Sequence, residues 1–335
     1  MNLEKDFAFV PVPALEEADT QPFADIDDPL GPLAALAGTW KGTGFNTIWR
    51  PHFKVQDRFL ELNLTKETLE FEAIAGEIPN RGFAQKDINM FGLHYLQQIS
   101  DSTLNAGIHI EPGIWATVPA TTAPAKPPTV VRMASIPHGT VVLAQGQASV
   151  IAGPPVIKPV NIIPFAIGAP ESAGSFKDAQ LGFPELNLSK RSDFRQPSKA
   201  STVPGITPGM VKDPNRVLVR AIAGQEIVNT VVLRVKATNT KPRSIGTANT
   251  FFVRDNASAD LVTSTFWIET VQKAGGGTFL QLQYTQTVIL DFNGLSWPHV
   301  SVATLRKKAT TTSMSRDAAK LSVPGARRTT ETELT

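Results

Sequence analysis

Apolar and polar residues alternate with a period of two over most of this chain, the pattern of strands that turn one face to a core. The segments GTWKGTGFNTIWRP, DRFLELNLT, ETLEFEAIAG, FGLHYLQQIS, GIHIEPGIWATV, PTVVRMASIP and GTVVLAQGQASV each carry it. Each is also rich in β-branched or aromatic residues and bounded by Gly, Pro, Asn or Asp. The pattern resumes after residue 215 in EIVNTVVLRVKAT, TANTFFVRD, DLVTSTFWIETVQ, TFLQLQYTQTVILDF and WPHVSVATLRK. Lys273, Ala274, Gly275, Gly276 and Gly277, between two of these segments, predict a hairpin loop. A short helix over Leu33–Ala37 leads into the first strand. So many successive strands with almost no helix predict an all-β fold, an antiparallel barrel or a sandwich.

Residues 151–215 break the pattern. They hold ten of the 26 prolines, a density that central strands and helix interiors do not tolerate. Val156, Ile157, Val160, Ile162, Ile163, Phe165 and Ile167 make the same stretch too apolar for a free linker. It reads as a long irregular insertion packed on the body of the fold, either a lid over a cavity mouth or a cover for an edge. The domain scheme is therefore an acidic extension over 1–30, one β domain over 31–306 carrying the insertion, and a Ser/Thr-rich basic tail over 307–335. Neither end offers an alternating apolar face, and the tail reads as a mobile terminus.

Composition narrows the function classes. Of 335 residues 41% are hydrophobic and the formal charge is +2, which excludes a disordered chain. The absence of cysteine excludes disulfides, thiolate nucleophiles, Fe–S clusters and Cys-based zinc sites. Apolar runs are too short and too proline-broken for a membrane helix, and MNLEKDFAFVPVP lacks the features of a secretory signal. The expectation is a cytoplasmic protein without membrane partners. One Lys faces eight acids in residues 1–30, six Lys/Arg face three acids in 307–335, and the remaining charge is spread without runs. That is too diffuse for a nucleic-acid surface. No phosphate-binding glycine loop, zinc-protease helix motif or nucleophile elbow is present.

The histidines carry the remaining chemistry. In Gly107-Ile108-His109-Ile110-Glu111-Pro112-Gly113-Ile114-Trp115, alternation sets His109, Glu111 and Trp115 on one face and the isoleucines on the other. If the polar face lines a cavity, His109 and Glu111 form an acid–base pair or contact a ligand. If the isoleucines point inward, the pair is solvated, and the habit of apolar faces to turn inward favours that reading. His299 opens the last strand, with Ser301, Ala303 and Leu305 on its face, small enough at first to leave room beside the imidazole. A lone histidine is usually structural, yet a neutral imidazole is also the usual axial ligand of haem iron. His52 and His138 fall at turns and look structural, while His94 suits a cavity or the core. Trp40, Gly42 and Gly44 share a face in the first strand. The two glycines suit either close approach of a ligand or a bend of the sheet.

Three motifs together resemble the nitrobindin family of haem-binding β-barrels. Gly38-Thr39-Trp40-Lys41-Gly42-Thr43-Gly44 is similar to its opening, Leu96-Gln97-Gln98 with His109-Ile110-Glu111-Pro112-Gly113 to its middle segment, and Pro298-His299-Val300-Ser301-Val302 with Arg306 to its closing strand. The whole chain also resembles a larger group of bacterial and fungal proteins described as haem-binding. The resemblance covers residues 36–145 and 260–306; the chain is longer than a nitrobindin, and the insertion has no counterpart there. It implies an antiparallel barrel of the lipocalin or nitrobindin type, haem b as cofactor and His299 as the iron ligand. Trp40, Gly42, Gly44 and Ser301 would border the cofactor, and ferric-haem chemistry on reactive nitrogen or oxygen species, such as peroxynitrite isomerisation, is the implied activity. Arg306 would pack across Trp40, as in lipocalin-like barrels. The rival expectation is a haem-free barrel that carries or transforms a small apolar ligand, with His109 and Glu111 as acid and base. The oligomeric state stays open, a homodimer among the options.

Overall fold

The computed structural model describes residues 9–10, 28–53, 58–238 and 246–308. Ten long strands make the wall: β1 Gly38–Pro51, β2 Arg58–Ile74, β3 Ile88–Asp101, β4 Ala106–Val118, β5 Thr129–Ile136, β6 Thr140–Ala152, β7 Ile227–Thr238, β8 Ser258–Gln272, β9 Thr278–Phe292 and β10 Leu295–Lys307. Neighbours pair antiparallel in the order β2-β1-β10-β9-β8-β7-β6-β5-β4-β3. Pairing of β3 back onto β2, from Thr65 opposite Asp101 to Ala73 opposite Leu93, closes the sheet. The protein is a closed ten-stranded antiparallel barrel, and closure removes the exposed edges an open sheet would leave.

Period-two alternation decides what each strand sends inside. Trp40, Leu69, Phe71, Leu93, Trp115, Phe266 and Leu305 meet in one buried cluster within the barrel. The short 3-10 helix Gly31–Leu36 plugs one end: Leu33 and Leu36 are fully buried, and the Trp40 indole donates to the Leu36 carbonyl at 2.6 Å. Lys307, opposite Trp40 in the β1–β10 register, places its ammonium 5.5 Å from the indole centroid. Arg306 points to the other face and stacks on Phe279, so the expected Arg306–Trp40 contact is made by Lys307 instead. The parity of the strand is the reason.

The insertion covers the outside of the wall. Its residues run from 153 to 226, further than the proline density suggests, and include the helices α1 Phe176–Gly182, α2 Pro208–Lys212 and α3 Arg216–Ile222. Ile162, Ile163, Leu186, Met210, Val211 and Leu218 pack on Phe45, Trp49, Leu60 and Leu62, the outward residues of β1 and β2. Each of those four side chains gains about 1.5–3 kcal/mol by leaving water. Proline limits the segment to two short backbone pairings, Phe165–Ala166 on β10 and Arg195–Gln196 on β2, and side chains add to that hold. Buried Arg195 donates to the carbonyls of Glu185, Asn187, Lys190, Pro197 and Ser198. The Trp49 indole donates to the Ile162 carbonyl at 2.8 Å. The insertion packs on the outer face of the closed wall, so it is a cover, but of a face and not of an edge as expected.

Other differences are local. DRFLELNLT and ETLEFEAIAG form one strand, β2. TANTFFVRD divides into the short strand Thr247–Asn249, paired with the start of β6, and the helical turn α4 Phe251–Arg254. Phe9–Val10 adds a two-residue strand beside Ala73 and Ile74 of β2, so the N-terminal extension does contribute backbone pairing. The remainder of residues 1–27 and the tail from residue 309 lie outside the described residues. Among the described residues no helix is long and apolar enough to cross a membrane.

Candidate functional site

At the end of the barrel opposite the plug the lumen is polar. β4 turns Glu111 and Trp115 inward, both fully buried, and leaves Ile110 42% exposed. The solvated reading of the His109 face therefore gives way: the polar face is the lumen face. The β3–β4 register slips between Ile99, opposite His109, and Ser100, opposite Gly107. This bulge lies beside His109, the kind of irregularity that re-aims a side chain.

Glu111 sits in a buried network. The Arg132 guanidinium from β5 donates to Glu111 Oε1 and to Tyr95 Oη at 3.0 Å, and also to Ser264 Oγ at 2.7 Å and Gln286 Oε1 at 2.5 Å. The Tyr95 hydroxyl donates to Glu111 Oε1, and His109 Nε2 stands 3.3 Å from Glu111 Oε2. Burial alone would raise the Glu111 pKa, but Arg132 and the hydrogen-bond donors around it overcome burial and hold it at about 2. Glu111 is thus a permanent anion near neutral pH. It orients His109 but is too weakly basic to exchange protons there.

His299 is fixed by a second relay. Asp101 Oδ1 accepts the backbone N–H groups of Thr103 and Leu104, and its Oδ2 accepts Asn63 Nδ2–H at 2.7 Å. A carboxylate only accepts, so Asn63 must present its amide nitrogen to Asp101 and its oxygen to Asn46 Nδ2, at 3.2 Å. Asn46 Oδ1 then faces His299 Nε2 at 2.7 Å and accepts Ser301 Oγ–H at 2.7 Å. His299 must therefore carry its proton on Nε2. Removal from water inside the barrel, with the charges of His109 and His138, lowers its pKa to about 3, so the ring is neutral and Nδ1 keeps its lone pair.

His138, at the β5–β6 hairpin, is exposed at the rim with its ring centroid 5.6 Å from that of His109. It is part of the histidine end rather than a simple turn residue. Partial burial and the His109 charge lower its pKa. The structure thus brings His109, Glu111, His299 and Ser301 to one lumen and adds His138. His94, registered opposite Ile114 and Glu72, is on the outer face, away from the site.

Trp40, Gly42 and Gly44 also face the lumen, but Trp40 lies under the plug. A Cβ on Gly42 would come within 2.1 Å of the Thr304 carbonyl oxygen, and one on Gly44 within 2.2 Å of that of Val302. Both glycines let β10 approach β1, which favours the bend over ligand approach. Sequence reasoning passed over Arg132, Tyr95, Asn63, Asp101 and Glu67. The alternation of Asn63, Thr65 and Glu67 with Leu62 and Leu64 was the available signal, and it reads as a solvated polar face until the insertion is seen covering the leucines.

Among the described residues no group of three or more His, Asp or Glu side chains is arranged to hold a metal ion by itself. No family profile and no curated protein matches the chain. Among solved structures, that titled "Crystal Structure of Rv2717c from M. tuberculosis" aligns with 85% of this chain and 100% of its own, at 12% sequence identity and a TM-score of 0.39. A likeness that distant assigns neither ligand nor activity.

Proposed function

We propose that the chain binds a small ligand at the histidine end of its barrel through His299, and that haem b is the ligand this donor suits. The supporting observation is the Asp101–Asn63–Asn46 relay. A neutral imidazole that donates one N–H to a fixed acceptor and keeps the other nitrogen free is the usual form of a metal-ligating histidine. A metal-bearing ligand would be held through His299 Nδ1, with His109 and His138 as the other ring nitrogens near the mouth. Bound haem would supply a redox-active iron for reactions of small nitrogen or oxygen species. The chain's own part is narrower. Asn46 and Ser301 hold His299, Arg132 keeps Glu111 ionised, and Glu111 orients His109.

Titration of haemin into the purified protein, followed in the Soret region, tests the reading. One saturable site is expected, lost in His299→Ala and retained in His109→Ala, with far-UV circular dichroism unchanged. Binding lost only in His109→Ala would move the ligand to β4. A second reading, acid–base chemistry on a haem-free small ligand with His109 as the exchanging group and Glu111 only orienting it, takes precedence if neither wild type nor variants bind haemin.

A further inference from the structure

The lumen holds a second carboxyl with an environment opposite to that of Glu111. Glu67, from β2, is 5% exposed. Its Oε2 accepts the Tyr284 hydroxyl at 2.6 Å and its Oε1 accepts Thr65 Oγ–H at 2.7 Å. Tyr284 in turn accepts Gln97 Nε2–H at 2.9 Å. Among the described residues no salt bridge reaches Glu67, whereas Arg132 binds Glu111 directly. The charged groups around it are His109, whose charge is felt at Glu67, the Glu111–Arg132 pair beyond Tyr284, and the outward lysines Lys41 and Lys66. Those lysines line a surface notch of about 380 Å³ to which the Gly42 and Glu67 positions of the wall also contribute, while the Glu67 carboxyl itself is buried on the barrel side.

Two carboxyls in one lumen, one clamped by a guanidinium and one held only by neutral donors, divide into a fixed anion and a group that can change its proton. We propose that Glu67 is the proton-exchanging carboxyl of the lumen, taking and releasing a proton across one strand from His109, with Tyr284 as its hydrogen-bond partner, while Glu111 stays ionised. The inference rests on the histidine end being the reactive site and names the proton source for whatever is bound there. Burial without a cation raises the Glu67 pKa to about 7, as this role requires. Tyr284 opposes the rise by stabilising the anion.

Infrared difference spectra in the protonated-carboxyl region, recorded across neutral pH on the full chain, test it without a ligand. Glu269, buried on the outer face and also raised to about 7, and Asp291, raised to about 6, give further bands, so variants separate them. The wild type should lose protonated-carboxyl intensity as pH rises through about 7. Glu67→Gln should remove one component, Glu269→Gln a second, Asp291→Asn the one near 6, and Glu111→Gln none. Tyr284→Phe should move the Glu67 midpoint upward, because the anion loses a donor; a purely structural carboxyl would show no such titration. An unchanged spectrum in Glu67→Gln, or a Glu67 midpoint near an ordinary carboxyl, overturns the proposal. If Glu67→Gln does not fold, carbon-13 NMR of labelled glutamate carboxyls in wild type and Tyr284→Phe gives the same midpoint. Haemin binding through His299 should survive Glu67→Gln, so this inference and the proposed function fail separately.

Discussion

Removing Arg132 should turn Glu111 into a second Glu67. Both carboxyls face the lumen and both are almost completely buried; they differ in that Arg132 touches one of them. Arg132→Met keeps much of the side-chain volume and removes the cation. The Glu111 pKa should then climb from about 2 toward the value of about 7 seen at Glu67. A change of that size corresponds to about 7 kcal/mol, an upper limit, since one pKa unit is worth about 1.36 kcal/mol and relaxation and water entry reduce it. Breaking a buried pair by deleting one partner usually costs about 3–5 kcal/mol, and that is the expected loss at pH 8.

The sign fixes the pH dependence. In the wild type a depressed carboxyl adds stability above its unfolded pKa of 4.5, and this is lost as pH falls toward about 2. In the variant a raised carboxyl is neutral at pH 4 and adds little penalty there, so the loss should shrink to about half or less of its pH 8 value. Urea unfolding at pH 4 and pH 8, monitored by tryptophan fluorescence, provides both numbers. The double variant Arg132→Met/Glu111→Gln should recover part of the loss at pH 8, because no buried charge remains. Equal losses at the two pH values, or a double variant less stable than Arg132→Met, would refute the reasoning.

Glu269→Gln should raise stability above neutral pH by up to about 3 kcal/mol and change it little below pH 4.5: a buried carboxyl raised to about 7 loses its favourable contribution as pH climbs through that value, and unfolding curves at pH 5 and 9 check it. Gly42→Ala and Gly44→Ala should each lower the melting temperature markedly, at a cost of about 1–3 kcal/mol or more, because the added Cβ meets a β10 carbonyl at 2.1 or 2.2 Å; an unchanged transition would show that β10 can move away. Arg195→Ala should open the segment around residues 185–198 to limited proteolysis while the barrel stays intact, since the carbonyls it caps lose their donor; cleavage indistinguishable from wild type would mean that packing alone holds the insertion.

The alternation of residues was enough to establish an all-β chain of many strands, a barrel or a sandwich, and the pairing of β3 with β2 decides for the closed barrel. Period two is a local property of the backbone, and the Lys273–Gly277 hairpin and the Ser301, Ala303 and Leu305 face of His299 follow from it directly. What alternation leaves open is which of a strand's two faces is inside. For β1 and β2 the apolar Phe45, Trp49, Leu60 and Leu62 point outward, because a segment more than ninety positions later in the chain returns to cover them. For β4 the isoleucines point outward although Ile110 remains exposed, because the lumen at that level is committed to the Arg132 network. Both outcomes depend on partners brought together by closure of the sheet, and no local pattern encodes them. The same holds for protons. Glu67 and Glu111 are alike as residues on alternating strands, and only the tertiary arrangement, which sets Arg132 against one and leaves the other to Tyr284 and Thr65, separates their pKa values to about 7 and about 2. Burial and charge act over a few ångströms of space, whatever the distance along the chain.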